Sequence, residues 1–185
     1  MVTAFILIAP TIISFIIFLY IPFVNAIQTS FFKYNGLGPM TDFVGWKNYI
    51  KVLQDPKFTR SLVNTVYLIL TSFLAIPIGF IFAYILHVGV PGKKLFNTGL
   101  FIPYLISMVV VGCIWRIIYD PTIGPLNQIM KMVGLGDYAK AWLSRPDTAL
   151  GAISVTWIWR SFPFNMLILY ANISKMPEDF LGAAE

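Results

Sequence analysis

Charge is absent from long stretches of this chain. No Asp, Glu, Lys or Arg occurs before Lys33, none in the 32 residues between Arg60 and Lys93, and none in the 21 between Lys94 and Arg116. From Thr148 to Ser174 the only charge is Arg160. A helix that crosses a bilayer needs about 20 mostly apolar residues. The pattern therefore predicts four transmembrane helices, at about 4–26, 62–87, 96–119 and 149–173. Between them lie turn signals: Asn35-Gly36, Gly38-Pro39 and Asp55-Pro56 in a loop over 27–61, and Pro91-Gly92 in a short connection over 88–95. A loop over 120–147 holds Asp120-Pro121, Gly124-Pro125 and Arg145-Pro146. Pro10 and Pro22 fall inside the first segment, where neighbouring groups can re-satisfy the backbone.

Composition agrees. Of the 185 residues 58% are hydrophobic and 11% charged, with mean hydropathy +0.77, whereas soluble domains carry about 25% charged residues. The net charge of +5 is scattered over the loops, without the basic run and interleaved aromatics of a nucleic-acid surface. The first segment is too long for the apolar core of a signal peptide. It has no basic lead and no A-x-A-like cleavage site, so it reads as a retained helix. The lone Cys113, inside the third segment, cannot form an internal disulfide and reads as a small buried hydrophobe.

The side chains exclude several chemistries. One His and one Cys do not make a zinc site. There is no G-x-x-x-x-G-K-[ST] phosphate loop, so if transport here is driven by ATP, another chain holds the nucleotide. A stand-alone secondary carrier or channel is the alternative, but it would need intramembrane acids for ion coupling, and none of the eight acids lies centrally in a predicted span. A membrane enzyme would need a catalytic cluster, and the lone His87 offers little.

Within the spans a few polar residues stand out. Arg160 lies deep in the fourth segment. It either faces a cavity with a functional role or snorkels to the outer interface. Pro163, three residues on, is expected to kink the helix. Asn165 and Asn172 either hydrogen-bond the hydroxyl groups of a solute or pair with other helices. Arg116, beside Trp115 and Tyr119, reads as an interface anchor. The Lys and Arg count leaves orientation open. The 88–95 connection is densest in lysine, with Lys93 and Lys94, but the longer loops hold more basic residues in total.

The loops carry an ordered set of short motifs. Phe43-Val44-Gly45-Trp46-Lys47-Asn48-Tyr49 leads to Asp55-Pro56-Lys57-Phe58 and Asn64-Thr65. Phe101-Ile102-Pro103, Trp115, Gly124-Pro125-Leu126-Asn127, Trp142-Leu143, Thr148-Ala149-Leu150 and Trp159 follow. In order and spacing this resembles the inner-membrane permeases of carbohydrate-type ABC importers, close to the maltose and glycerol-3-phosphate permease subunits. The tail, Met176-Pro177-Glu178-Asp179-Phe180-Leu181-Gly182-Ala183-Ala184-Glu185, resembles the opening of that family's ATPase-coupling EAA loop. Pro177 suits a first helical position, and Glu178 and Asp179 suit the first turn of a helix.

The resemblance implies an all-α membrane protein with four transmembrane helices of a six-helix type I permease core. Residues 1–61 would supply the first helix and an external loop, and 62–185 an incomplete transmembrane domain. It implies a multi-pass protein of a bacterial or archaeal plasma membrane with a cytoplasmic N-terminus. The chain would move a sugar or polyol by alternating access. Its partners would be a second permease, an extracytoplasmic solute-binding protein and two ATPase subunits that bind ATP and magnesium. Pro177, Gly182, Ala183, Ala184 and Glu185 would couple to the ATPase, and Arg160, Asn165 and Asn172 are candidates for the substrate pathway. Two departures stand out. Gly182 replaces the glutamate that opens the motif and weakens a helix by about 1 kcal/mol relative to Ala. The motif's following Asp-Gly and two further helices do not follow Glu185, so the sequence reads as truncated at its C-terminal side.

Overall fold

The computed structural model describes residues 2–175, with side chains from Phe5 onward. Apart from one isolated bridge, the described residues form helices, turns and loops, and they group into two units that divide between Val63 and Asn64.

In the first unit, α1 (Val2–Phe15) continues through a π-helical stretch, Ile16–Tyr20, into α2 (Ile21–Ser30). A wide turn is a standard way to seat a proline, which offers no N–H and crowds the carbonyl four residues back; Pro22 stands at the start of α2. The helix runs four residues beyond the expected end at 26. Its apolar side chains are bare, Leu7 at 75% and Phe18 at 79% exposure, as lipid-facing residues are. The motif Phe43–Tyr49 then acts as a clamp. Phe32 pairs with Phe43 in an antiparallel bridge. Asn48 Nδ2 donates to the carbonyls of Ser30 (2.8 Å) and Phe32 (2.9 Å), and the Tyr49 and Ser30 hydroxyls meet at 2.6 Å. The rings of Phe31, Trp46 and Tyr49 pack on one another. A short α3 (Lys47–Leu53) follows, and Asp55 Oδ1 accepts the Lys57 N–H as α4 (Pro56–Ser72) begins.

With α5 (Ala75–Val88), α4 makes an apolar helical run over Pro56–Val88, starting six residues before the expected segment. The chain then reverses over four residues. Gly89 (φ +96°) and Gly92 (φ +74°) take backbone angles that side chains resist. The expected third helix is not one rod: α6 (Lys93–Leu105) and α7 (Met108–Ile118) meet at 100°. Ile106 and Ser107 are extended there, and Ser107 Oγ accepts the Val110 N–H as the N-cap of α7. Pro103 weakens the end of α6 by removing one helical donor. Cys113, expected to be buried, is exposed on α7.

The loop after α7 contains α8 (Pro125–Met132) and leads to α9 (Pro146–Ile173), a helix of 28 residues. The helix continues through Pro163, the position of the expected kink, and Pro163 is buried within it. Against α9 lies α5, through the small residues Ala75, Gly79 and Ala83 spaced by four. A Cβ on Gly79 would come within 2.8 Å of the Met166 nitrogen and 2.9 Å of Asn165 Cβ. Such small-residue stripes let helices in lipid approach backbone to backbone. Leu86, Ala83 and Met166 close the contact with no exposed surface.

By length and apolarity, Phe5–Ser30 and Pro56–Val88 each suffice to cross a bilayer, and the bent α6–α7 pair makes a third if it is one span. The fourth expected segment is helical throughout as α9, and it is the polar one, carrying Arg160, Asn165 and Asn172.

Candidate functional site

The bend between α6 and α7 places an aromatic side chain against the one charge of α9. Tyr104, just before the bend, stacks on Phe164 with ring centroids 5.0 Å apart and an interplanar angle of 16°. The Arg160 guanidinium carbon stands 5.6 Å from the centre of the same Tyr104 ring, a favourable cation–π distance. At 100° per residue, Arg160 and Phe164 share a face of α9 turned to α6. One helix face away, Trp159 meets Trp115 of α7 edge-on at 5.5 Å, and Trp115 packs on Tyr119 at 5.0 Å.

Two polar atoms in this seam are buried and lack a hydrogen-bond partner: Trp115 Nε1 and Arg160 Nε. Buried donors are nearly always paired, so an unpaired one calls for an explanation. All the more so for Arg160, which stands about midway along α9 and has no acid within any of the predicted spans to neutralise it. The seam can offer a fixed positive charge, a second N–H donor and aromatic faces to a ligand or a neighbouring helix.

The other two pathway candidates lie elsewhere. Asn165 faces α5, its Cβ against Gly79, and its Nδ2 donates back to the Ser161 carbonyl at 3.3 Å. Asn172 is exposed and donates to the Ile168 carbonyl at 2.7 Å. They sit seven residues apart on one face, roughly 120–140° around the helix from Arg160. Arg116 is exposed in the last turn of α7. The coupling residues Pro177, Gly182, Ala183, Ala184 and Glu185 lie outside the described residues. Sequence reasoning missed Tyr104 and the open N–H of Trp115; a proline and a lone serine four residues apart in an apolar run, Pro103 and Ser107, were the available signal.

Beside this seam the loop over 120–147 is closed on itself. Asn127 is 3% exposed. Its Nδ2 donates to the Pro121 and Lys140 carbonyls, and its Oδ1 accepts Trp142 Nε1–H at 2.8 Å. Thr148 Oγ1 donates to the Trp142 carbonyl at 2.9 Å. A Cβ on Gly124 would collide with the Ile118 carbonyl at 2.7 Å and the Asp120 nitrogen at 2.8 Å. The Asp120 carboxylate accepts the N–H groups of Ile123 and Thr122, which hold it below its usual ionisation range. Arg145 and Asp147 form an ion pair at 3.0 Å. Under this loop a cavity of about 820 Å³ is walled by Tyr67, Trp115, Tyr119, Trp142, Leu150 and Val155, an apolar surface that suits hydrocarbon rather than hydroxyl groups. No group of His, Cys, Asp or Glu among the described residues could hold a metal.

No family model matches the chain. Curated relatives do. A probable ABC transporter permease of Pyrococcus horikoshii is 34% identical over 94% of this chain and 60% of its own length. One of Bacillus subtilis is 31% identical over 92% and 59%. The arabinooligosaccharide transport system permease of Halalkalibacterium halodurans is 31% identical over 100% and 58%. In fold the chain matches a bacterial alginate ABC transporter solved with its periplasmic protein, with a TM-score of 0.80 at 24% identity, covering 98% of this chain and 60% of that one. The chain thus spans about three fifths of the length of the relatives it matches. Its ordered loop motifs, its helical architecture and these relatives agree, and the chain belongs to the ABC-transporter permeases.

Proposed function

We propose that this chain is part of the permease subunit of a binding-protein-dependent ABC importer. It moves a sugar or related polyol across the plasma membrane by alternating access, with a second permease, two ATPases that hold ATP and magnesium, and an extracytoplasmic binding protein. It holds no ATPase site of its own. The observation that carries this reading is similarity over nine tenths or more of the chain to permeases named for arabinooligosaccharide and glycerol-3-phosphate transport. The alginate transporter that shares its fold was solved in complex with a periplasmic protein, which supports a binding-protein partner here.

In this reading 62–185 belongs to the translocating domain and 1–61 adds the first transmembrane helix and an external loop. Arg160 lines the pathway, Asn165 serves helix packing, and Asn172 lies on the pathway's flank. Pro177, Gly182, Ala183, Ala184 and Glu185 begin the ATPase-coupling loop. The N-terminus is cytoplasmic, which puts the 88–95 turn and the end of α9 on the cytoplasmic side. What supports that orientation is the resemblance of the tail to the family's coupling loop, the Lys and Arg count leaving it open.

Co-expression with a candidate ATPase subunit and a second permease tests the reading. The ATPase should co-elute with the membrane-extracted chain, and charge changes at Glu178 and Asp179 should weaken the association. A correctly inserted chain that never retains an ATPase with its tail intact contradicts the proposal.

A further inference from the structure

We propose that the end of the second unit where α5 turns into α6 and α9 finishes binds the headgroup of an anionic phospholipid. Lys93 and Lys94 open α6, and the Lys93 ammonium stands 4.9 Å from the centre of the Tyr170 ring near the end of α9. The two lysines, with Leu86, Asn97 and Tyr170, line a recess of about 310 Å³ between the three helices. Lys175 follows two residues after α9, and His87 sits in the last turn of α5.

Among the described residues positive charge is concentrated here without an ion pair to an acid: no acid occurs from residue 61 to 119 or from 148 to 175, and the ion pair found among the described residues, Arg145–Asp147, lies at the other end of α9. Two adjacent ammonium groups at a helix start repel each other and disfavour the positive end of the helix dipole. A phosphodiester in the recess removes both costs. Asn97, one turn on from Lys93, supplies a neutral amide for the glycerol or phosphate oxygens.

What distinguishes a lipid from a free anion is the surrounding surface. Leu95 is 81% exposed and Val88 66%, and both flank the lysines. A phosphate in the recess therefore sits at the boundary where acyl chains continue along apolar helix surface. Basic recesses between helices at the membrane boundary recognise anionic headgroups in this way.

Native mass spectrometry of the purified chain, with dioleoylphosphatidylglycerol or dioleoylphosphatidylcholine added to the micelles, tests the proposal. Phosphatidylglycerol should stay bound in preference to phosphatidylcholine. The double variant Lys93→Gln, Lys94→Gln should lower its retention about 30-fold, the effect of two lysines at an anionic surface. The double arginine variant should keep it, and Lys140→Gln, on the loop over 120–147, should leave it unchanged. Equal retention of the two lipids, or retention untouched by the glutamine variant, overturns the proposal. That last result is expected if Glu178 and Asp179 of the tail neutralise the lysines instead. Displacement of the lipid by inorganic phosphate at equal concentration also overturns it, since the recess would then read phosphate alone.

Discussion

Two neighbouring regions of the second unit treat buried polar groups in opposite ways. Around Asn127 each amide donor and acceptor is used, and Trp142, Pro121, Lys140 and Thr148 are tied together by side chains. Around Arg160 the guanidinium Nε and the Trp115 indole N–H are buried with no hydrogen-bond partner, the guanidinium standing over the Tyr104 ring and Trp115 meeting Trp159 edge-on. A closed network specifies one structure, and removing one member orphans the others. An open seam adds little to stability by itself and keeps its binding capacity for something else. Asn127 is architecture, and Arg160 is the residue with capacity to spare.

The largest expected effects break the frame on which both regions depend. Gly79→Val would drive a side chain into the α9 backbone, and Gly124→Ala would do the same to the turn after α7. Because backbone rather than a flexible side chain is in the way, each should cost at least about 3 kcal/mol. Size-exclusion chromatography in detergent should show loss of the monodisperse protein. Next comes Asn127→Ala, which leaves the Trp142 N–H and two carbonyls unpaired. A cost of about 2–3 kcal/mol is expected, read as a lower thermal midpoint, with uptake per folded molecule unchanged. Arg160→Met keeps the stem and removes the charge. It should shift stability by less than about 1 kcal/mol, since no bonded partner is orphaned, while abolishing most uptake.

The smallest effect is on pH. Asp120 accepts two backbone N–H groups that lower its pKa in the folded protein. Its stabilising contribution is present above the unfolded value, about 3.9, and is lost as pH falls through the lower folded value. Acid melts of the wild type and of Asp120→Asn should separate above the unfolded value, with the wild type the more stable, and converge as pH falls below the lowered folded value.

Much of the fold was legible because bilayer thickness imposes long uncharged runs, and Lys33, Arg60, Lys93 and Arg116 mark their limits. The family was legible in Asn48, Gly124, Asn127, Trp142 and Thr148, but their job was not. They are staples that hold the loops, and a staple is recognised only when the chain is folded around it. The α6–α7 bend escaped because hydropathy records polarity and not dihedral angles; Ile106 and Ser107 are as apolar or as small as their helical neighbours. The Tyr104–Arg160 contact joins residues 56 positions apart, beyond the reach of any local pattern.

The most direct measurement pairs Arg160→Met with Asn127→Ala in the assembled transporter, recording the unfolding midpoint and the uptake per folded molecule for each. Arg160→Met should keep its midpoint and lose uptake, and Asn127→Ala should lose its midpoint and keep uptake. If Arg160→Met instead lowers the midpoint as far as Asn127→Ala and transports normally, Arg160 is a structural residue and the seam is not the functional site.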